Sequence, residues 1–190
     1  MRIEQFLKEK KISMYELAER SGLSYSVVHN LIKGKSDIRN CTVDTASRLA
    51  RTLEISIDDL MLLCRRNYTF TWFRSEQCHL VHSKGELEYL VNVLESQEIN
   101  RYWRLCMYAE AMYEVAMVDY ICRRNDIHRC ENYNEIRNHK LDHVSYPIDV
   151  MLIDELRGTH EEAEKSEKSA IPEFRSFNII EGAIFDDDVA

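Results

Sequence analysis

Apolar residues recur at intervals of three and four over the first third of the chain, which is the spacing of amphipathic α-helices. The pattern predicts five short helices before residue 66. Their apolar positions are Ile3, Phe6 and Leu7; Leu17 and Ala18; Val28, Leu31 and Ile32; Val43, Ala46, Leu49, Ala50 and Leu53; and the run from Ile57 to Leu63.

Capping residues mark where three of these helices begin. Ser13, Ser24 and Thr42 each precede an apolar stripe, and their hydroxyls can accept the first free backbone N–H groups of a helix. Gly22 and Gly34 follow two of the stripes, where glycine readily adopts the left-handed conformation that ends a helix.

The segment at 67–82 has a different pattern. "NYTFTW" alternates polar and apolar residues over 67–72, and "CHLVH" at 78–82 is a second short run of the same kind. A period of two predicts β-strands, so this segment is interpreted as a short β-hairpin or an extended linker.

Helical patterns return after residue 83. The most apolar segment, at 104–125, has apolar residues on most of its circumference, which predicts a central helix packed from several sides. Asp119 falls within that apolar arc, and a buried carboxylate needs a partner, for which Arg137, Arg104 and the histidines are candidates. The acidic end "FDDDVA", residues 185–190, is predicted to fray.

Composition supports a mainly all-α protein, because two prolines and five glycines in 190 residues leave few breakers. The net charge of −8 is unevenly distributed: residues 1–66 hold 12 basic and 9 acidic residues, a net +3, and residues 67–190 hold 13 and 24, a net −11. The overall charge argues against binding to nucleic acid, but this objection does not apply to residues 1–66. We therefore expect three parts: a helical domain at 1–66, the hairpin or linker at 67–82, and an acidic helical dimerisation or partner-binding domain at 83–190.

Other classes of protein find little support. No apolar run reaches 18 residues and the N-terminus lacks a signal-peptide core, so we expect a cytoplasmic protein without a membrane span. The six cysteines form no C-x-x-C pair and are expected to be free thiols. Two candidate metal clusters (Cys78, His79 and His82; His139 and His143) lack four ligands at a familiar spacing, so no metal or other cofactor is expected.

Ala18, Gly22, Val28 and Leu31 occupy the positions that join two helices at a short turn. The surrounding sequence "ISMYELAERSGLSYSVVHNLIKGK" resembles the Cro/C1-type (Xre-like) helix-turn-helix family, and the resemblance covers residues 3–64. It implies a five-helix, lambda-repressor-like domain that binds double-stranded DNA, with its second motif helix in the major groove.

The resemblance also implies which residues touch DNA. Base edges would be contacted from the start of the recognition helix, and phosphates from the residues after it. Asn30 could bond adenine in two places, Ser26 is adaptable, and Tyr25 offers a ring to a thymine methyl group. The predicted DNA-binding residues are Ser24, Tyr25, Ser26, His29 and Asn30, followed by Lys33, Lys35 and Arg39.

One position departs from the family pattern. Met14 stands where members often carry a glutamine that supports a base contact. Either Met14 packs on the sugar-phosphate edge or the recognition helix alone provides specificity.

Two functions of different class fit these features. The first is a sequence-specific, repressor-like transcriptional regulator that binds DNA as a homodimer. The alternative is an antitoxin whose C-terminal region neutralises a toxin and whose helix-turn-helix autoregulates the operon. A ribonuclease of the HEPN type ranks below both, because its R-x4-6-H pattern, matched at Arg74–His79 and Arg123–His128, arises by chance in a chain with many arginines. We therefore predict no enzyme.

Overall fold

The computed structural model describes residues 2–182 and 184. These residues form two compact units: the chain up to Tyr68 with Arg104–Met107, and Thr69–Trp103 with the chain from Tyr108 onward. The described part contains thirteen α-helices and two short 3-10 helices, which confirms the mainly all-α fold class. Its one β-type pairing outside named strands is a bridge between Ser145 and Ile179. The acidic end at 185–190 lies outside the described residues.

The first unit contains the five helices predicted from the apolar spacing. Most positions of the predicted stripes are buried, including Ile3, Leu17, Val28, Leu49 and Leu60, whereas Val43 of the fourth stripe is 78% exposed. Helix α2 packs on α3 and α4, and α5 packs on α4 and α1. The bounds are α1 Arg2–Glu9, α2 Met14–Ser21, α3 Tyr25–Ile32, a 3-10 helix Ile38–Asn40, α4 Val43–Thr52 and α5 Ile57–Leu63.

Side-chain caps fix where these helices begin. The Ser13 hydroxyl accepts the Glu16 N–H at 3.1 Å, and the Thr42 hydroxyl accepts the Thr45 N–H at 3.2 Å. Ser24 caps α3 by accepting the N–H of Val27 at 3.4 Å. A cap of this kind stabilises a helix by about 1 kcal/mol, so each predicted start is defined by its own hydrogen bond.

The second unit is built around one buried helix, α9. Every residue from Glu110 to Cys122 is buried, and α6, α7, α10 and α13 all pack against α9. This confirms the prediction of a central helix packed from several sides. The bounds are α6 Phe70–Lys84, α7 Glu86–Ser96, α8 Glu98–Arg104, α9 Tyr108–Arg124, a 3-10 helix Glu131–Tyr133, α10 Asn134–Arg137, α11 Ile148–Arg157, α12 Glu161–Ser169 and α13 Pro172–Arg175.

The β-hairpin interpretation of 67–82 is wrong, because this segment lies largely within α6. Thr69 caps the helix by accepting the Trp72 N–H at 3.1 Å. The buried positions are Phe73, Gln77 and Val81, which follow a helical period, together with Arg74. Two of the four are polar, so a hydrophobicity pattern does not reveal the stripe, and the local alternation of 67–72 suggested strands instead.

The buried polar groups of α6 find partners within the second unit. Arg74 pairs with Glu181 through Nη2 and Oε2 at 2.9 Å and also donates to the carbonyl oxygen of Ile180. Gln77 accepts a hydrogen bond of 2.8 Å from the hydroxyl of Tyr89. Burial of polar side chains costs little once they are hydrogen-bonded, which is why a helix with this sequence can be buried.

Candidate nucleic-acid interface

The turn between α2 and α3 is a backbone feature that the sequence dictates. Gly22 has φ of 66° and ψ of 24°, in the left-handed region that favours glycine. The N–H of Leu23 donates to the Ala18 carbonyl at 3.1 Å and that of Gly22 to the Glu19 carbonyl at 3.2 Å. Both hydrogen bonds cap the C-terminal end of α2, and α3 begins only three residues after Gly22.

Helix α3 has a buried side and an open side. Val28, Leu31 and Ile32 are buried, which holds the helix against the first unit. The predicted base-reading residues lie on the remaining surface: Ser24, Tyr25 and Ser26 are exposed, and His29 and Asn30 are half-buried. The structure therefore brings all five side chains to the start and outer side of one helix.

These five side chains differ in whether contacts within the protein already occupy them. Ser24 is occupied as the cap and lies 3.1 Å from the Ser26 hydroxyl. The rings of Tyr25 and His29 lie 5.8 Å apart. The side-chain amide of Asn30 makes no hydrogen bond with any residue that the structure describes. Asn30 thus keeps its donors and acceptor available for a base edge.

Asn30 lies on the wall of an open groove of about 660 Å³ between α3, the 3-10 helix and the start of α4. Most of the side chains on the wall are polar, although polar and apolar atoms contribute similar areas, and the wall includes three residues that the sequence analysis missed. These are Asn40, Thr45 and Arg66. All three lie outside the recognition helix, and Arg66 lies 36 positions after Asn30, so only the fold shows that they line the same groove.

The three predicted phosphate ligands are not equivalent. Lys33 is paired with Glu4 of α1, and this hydrogen bond lowers the pKa of Glu4. Arg39 is paired with Asp37, with Nη2 2.6 Å from Oδ2. Lys35 is exposed and pairs with no residue in the described part of the chain. Lys35 is thus the most available cation of the three, and Arg66 on the same groove is a second.

Met14 is the first residue of α2 and is half-buried, next to Tyr15, which is largely exposed. The position is compatible with both interpretations of Met14, contact with the sugar-phosphate edge or no DNA contact.

The other candidate chemistry is placed as follows. Arg74 is buried against Glu181, and Arg123 pairs with Glu173. Within residues 2–182 and 184, no three His, Cys, Asp or Glu side chains are grouped so that they could hold a metal ion. In the same range, no helix is long and apolar enough to span a membrane.

Two helices joined at a left-handed glycine, with the second helix open to solvent beside a polar groove, define a helix-turn-helix DNA-binding domain. Residues 2–63, about a third of the chain, match the family model of the Cro/C1-type HTH DNA-binding domain. The match supports a DNA-binding regulator and does not extend into the second unit. No curated protein and no solved structure matches the chain.

Proposed function

We propose that the protein is a sequence-specific transcriptional repressor that reads the major groove with α3 and binds as a homodimer. The proposal rests on one observation about Asn30. Its side-chain amide has no hydrogen-bond partner among the described residues, and it lines a groove that also contains Lys35 and Arg66. An amide that can bond a base edge, next to cations that can hold phosphates, is the combination that specific binding needs.

A dimer follows from the weak charge of one domain. Residues 1–66 carry a net charge of only +3, and two of the predicted phosphate ligands are already paired with carboxylates. The phosphate contribution to affinity grows with the number of contacts. Two linked domains make the second contact nearly intramolecular, so a dimer gains affinity without additional chemistry.

A dimer contact needs an apolar surface that the packing of the chain leaves exposed. Helix α9 does not provide one, because every residue from Glu110 to Cys122 is buried. Helix α11 instead exposes four apolar side chains that share one side of the helix. They are Ile148, Met151, Leu152 and Leu156, which are 50–86% exposed. We propose that this face pairs with the same face of a second copy.

Antiparallel pairing of two α11 helices about Leu152 fits this spacing. Ile148 and Leu156 lie four residues on either side of Leu152, so each would oppose the other across the two-fold axis. The two helix dipoles would also run in opposite directions, which is favourable. Burial of the eight side chains would contribute on the order of 1 kcal/mol each, or about 8 kcal/mol in all, which offsets an association cost in the lower part of the range of about 4–15 kcal/mol.

The experiment combines mass and footprinting. We expect a dimer by light scattering at micromolar concentration, and protection of two inverted half-sites about one DNA turn apart in the promoter of the protein's own gene. The Leu152→Asp/Leu156→Asp variant should become monomeric and bind more weakly. Leu87→Asp/Val91→Asp, which changes two exposed apolar residues of α7, is the matched control and should remain dimeric. A wild-type monomer that protects a single half-site contradicts the proposal.

The antitoxin alternative is favoured by one observation, the acidity of the second unit's surface. The exposed carboxylate Glu155 lies on the same side of α11 as Met151 and Leu152, Asp149 lies at the edge of that side, and residues 67–190 carry a net −11. Such a surface suits a partner with a basic, apolar patch. Co-expression with the product of the adjacent gene tests it: a stable complex that inhibits a toxic product favours the antitoxin.

A further inference from the structure

Val27 is an exposed apolar residue within the polar groove of the candidate interface. It occupies the third position of α3 and is 40% exposed. It lines the groove together with Asn30, one turn further along the helix. The neighbouring Val28 is buried and packs in the core, so Val27 is the valine of this pair that faces outward.

Local structure gives no reason for a valine at this position. Valine is a poorer helix former than alanine, lysine or glutamate, because branching at Cβ restricts its rotamers. Leu31 and Cys41 also line the groove, but most of its side chains are polar, among them Lys35, Asn40, Thr45 and Arg66. An exposed apolar residue that helix propensity does not favour is a candidate for direct contact with a ligand.

In the major groove the apolar group available for such a contact is the C5-methyl group of thymine. Asn30, on the same wall, has a free amide that can bond the N6 and N7 edge of adenine, and the partner of that adenine is a thymine. A contact of Asn30 with an A·T pair would bring a thymine methyl group, of that pair or the next, close to the side chain one helical turn away.

We propose that Val27 reads a thymine methyl group and so determines specificity at a base position next to the one read by Asn30. The inference rests on the proposed function, and it adds a requirement for the methyl group itself. It differs from a role of Tyr25, whose ring is paired with that of His29.

Deoxyuridine tests the methyl group alone, because it keeps every hydrogen-bonding group of thymine. The full-length protein is first used to select binding sites from a random-sequence duplex library. The selected duplex is then synthesised again with deoxyuridine at one thymine position at a time, and each affinity is measured at fixed salt. We expect one thymine in each half-site at which uracil weakens binding about fourfold, the factor that corresponds to about 0.8 kcal/mol for one buried carbon.

Variants connect this loss to Val27. In Val27→Ala, the thymine and uracil duplexes should bind equally well at that position, and Val27→Ile should restore the preference for thymine. Ile57→Ala is the matched control, because Ile57 is also 40% exposed but lies outside the groove. This control should keep the full thymine preference, and circular dichroism verifies that each variant is folded.

The outcomes separate the two proposals. If the selection enriches no sequence, the proposed function fails, and the role of Val27 fails with it. If a sequence is enriched but uracil is tolerated at every position, the role of Val27 is wrong and the proposed function stands. A methyl preference that persists in Val27→Ala also overturns the inference, since another residue then reads the methyl group.

Discussion

Arg39 and Asp37 form a local ion pair at the edge of the candidate DNA interface. Nη2 of the arginine lies 2.6 Å from Oδ2 of the aspartate, and Nε lies 3.1 Å from both carboxylate oxygens. Hydrogen bonds from Arg39 lower the pKa of Asp37 to about 2, so the carboxylate is charged at any pH used for DNA binding. The arginine of the 3-10 helix is therefore already paired with a carboxylate from the residue that caps this helix.

The first prediction follows from this pair. Asp37→Asn should free Arg39 for a phosphate, raise affinity for all DNA sequences alike, and steepen the dependence of affinity on salt by about one phosphate contact. Binding isotherms at several salt concentrations measure both effects. Glu16→Gln is the control, because it removes the carboxylate partner of Arg20 and changes net charge equally, outside the groove. Equal effects of the two variants would show that only net charge matters.

The second prediction separates base reading from phosphate binding. Asn30→Ala should cost about 1–3 kcal/mol and relax preference at one base position, whereas Lys35→Ala should weaken all sequences and reduce the salt slope by about one. Lys33→Ala should have a smaller effect than Lys35→Ala, because Lys33 is held by Glu4. Binding selections and salt titrations with the three variants provide the measurements. If neither Asn30→Ala nor Lys35→Ala alters sequence preference, the assignment of Asn30 is wrong.

The helices of the first unit could be predicted from the sequence because the residues that determine its helix-turn-helix lie close together in the chain. Ala18, Gly22 and Val28 lie within eleven residues, and each has a small set of allowed roles in a tight turn between helices. The pairing of Lys33 with Glu4 was not predictable, since 29 positions separate the two residues and only the packing of α1 brings them together. The same limit hid Arg66, which reaches the groove of Asn30 from the end of the unit.

The second unit shows a different limit of sequence patterns. Segment 104–125 was recognised as a central helix because apolar residues lie on most of its circumference. Residues 67–82 were interpreted as a hairpin or linker because two buried residues of this segment, Arg74 and Gln77, are polar. Their partners Glu181 and Tyr89 come from other segments. The spacing of apolar residues predicts which apolar side chains are buried. It cannot predict the burial of a polar side chain that is hydrogen-bonded to a residue far away in the sequence.

The third prediction concerns Asp119 of α9, whose position among apolar residues predicts a buried carboxylate that needs a partner. Asp119 is paired with Arg137, with Nε 2.8 Å from Oδ2 and Nη2 2.6 Å from Oδ1, and both side chains are nearly buried. Arg137→Ala leaves an uncompensated buried charge, which should lower the free energy of unfolding by about 3–5 kcal/mol.

Tryptophan fluorescence during urea unfolding measures this change, because Trp72 and Trp103 both lie in the second unit. The control is Arg123→Ala, which removes a more exposed arginine from Glu173 and should cost about 0–1 kcal/mol. Similar losses of unfolding free energy in both variants would mean that loss of the buried Asp119 pair costs no more than loss of the exposed one.

The last prediction concerns Glu114, a fully buried residue of α9 whose two carboxyl oxygens have no hydrogen-bond partner among the described residues. Burial raises its pKa well above the ordinary value, and the nearby carboxylates Glu98 and Glu110 raise it further. A raised pKa in the folded state means that the stabilising form is the protonated one. Its contribution is complete below the ordinary carboxyl pKa and is lost as pH rises toward the folded value.

In that pH window the free energy of unfolding should fall by about 1.4 kcal/mol per pH unit because of this one group. Glu114→Gln keeps the shape of the neutral acid and cannot ionise, so it should remove this slope and make the second unit more stable than wild type at pH 8. Urea unfolding followed by tryptophan fluorescence from pH 5 to pH 9 tests the prediction. Glu164→Gln on α12 changes an exposed carboxyl and should leave the slope intact. A wild-type slope that survives in Glu114→Gln would show that Glu114 is ionised in the folded protein, or that another buried group is responsible.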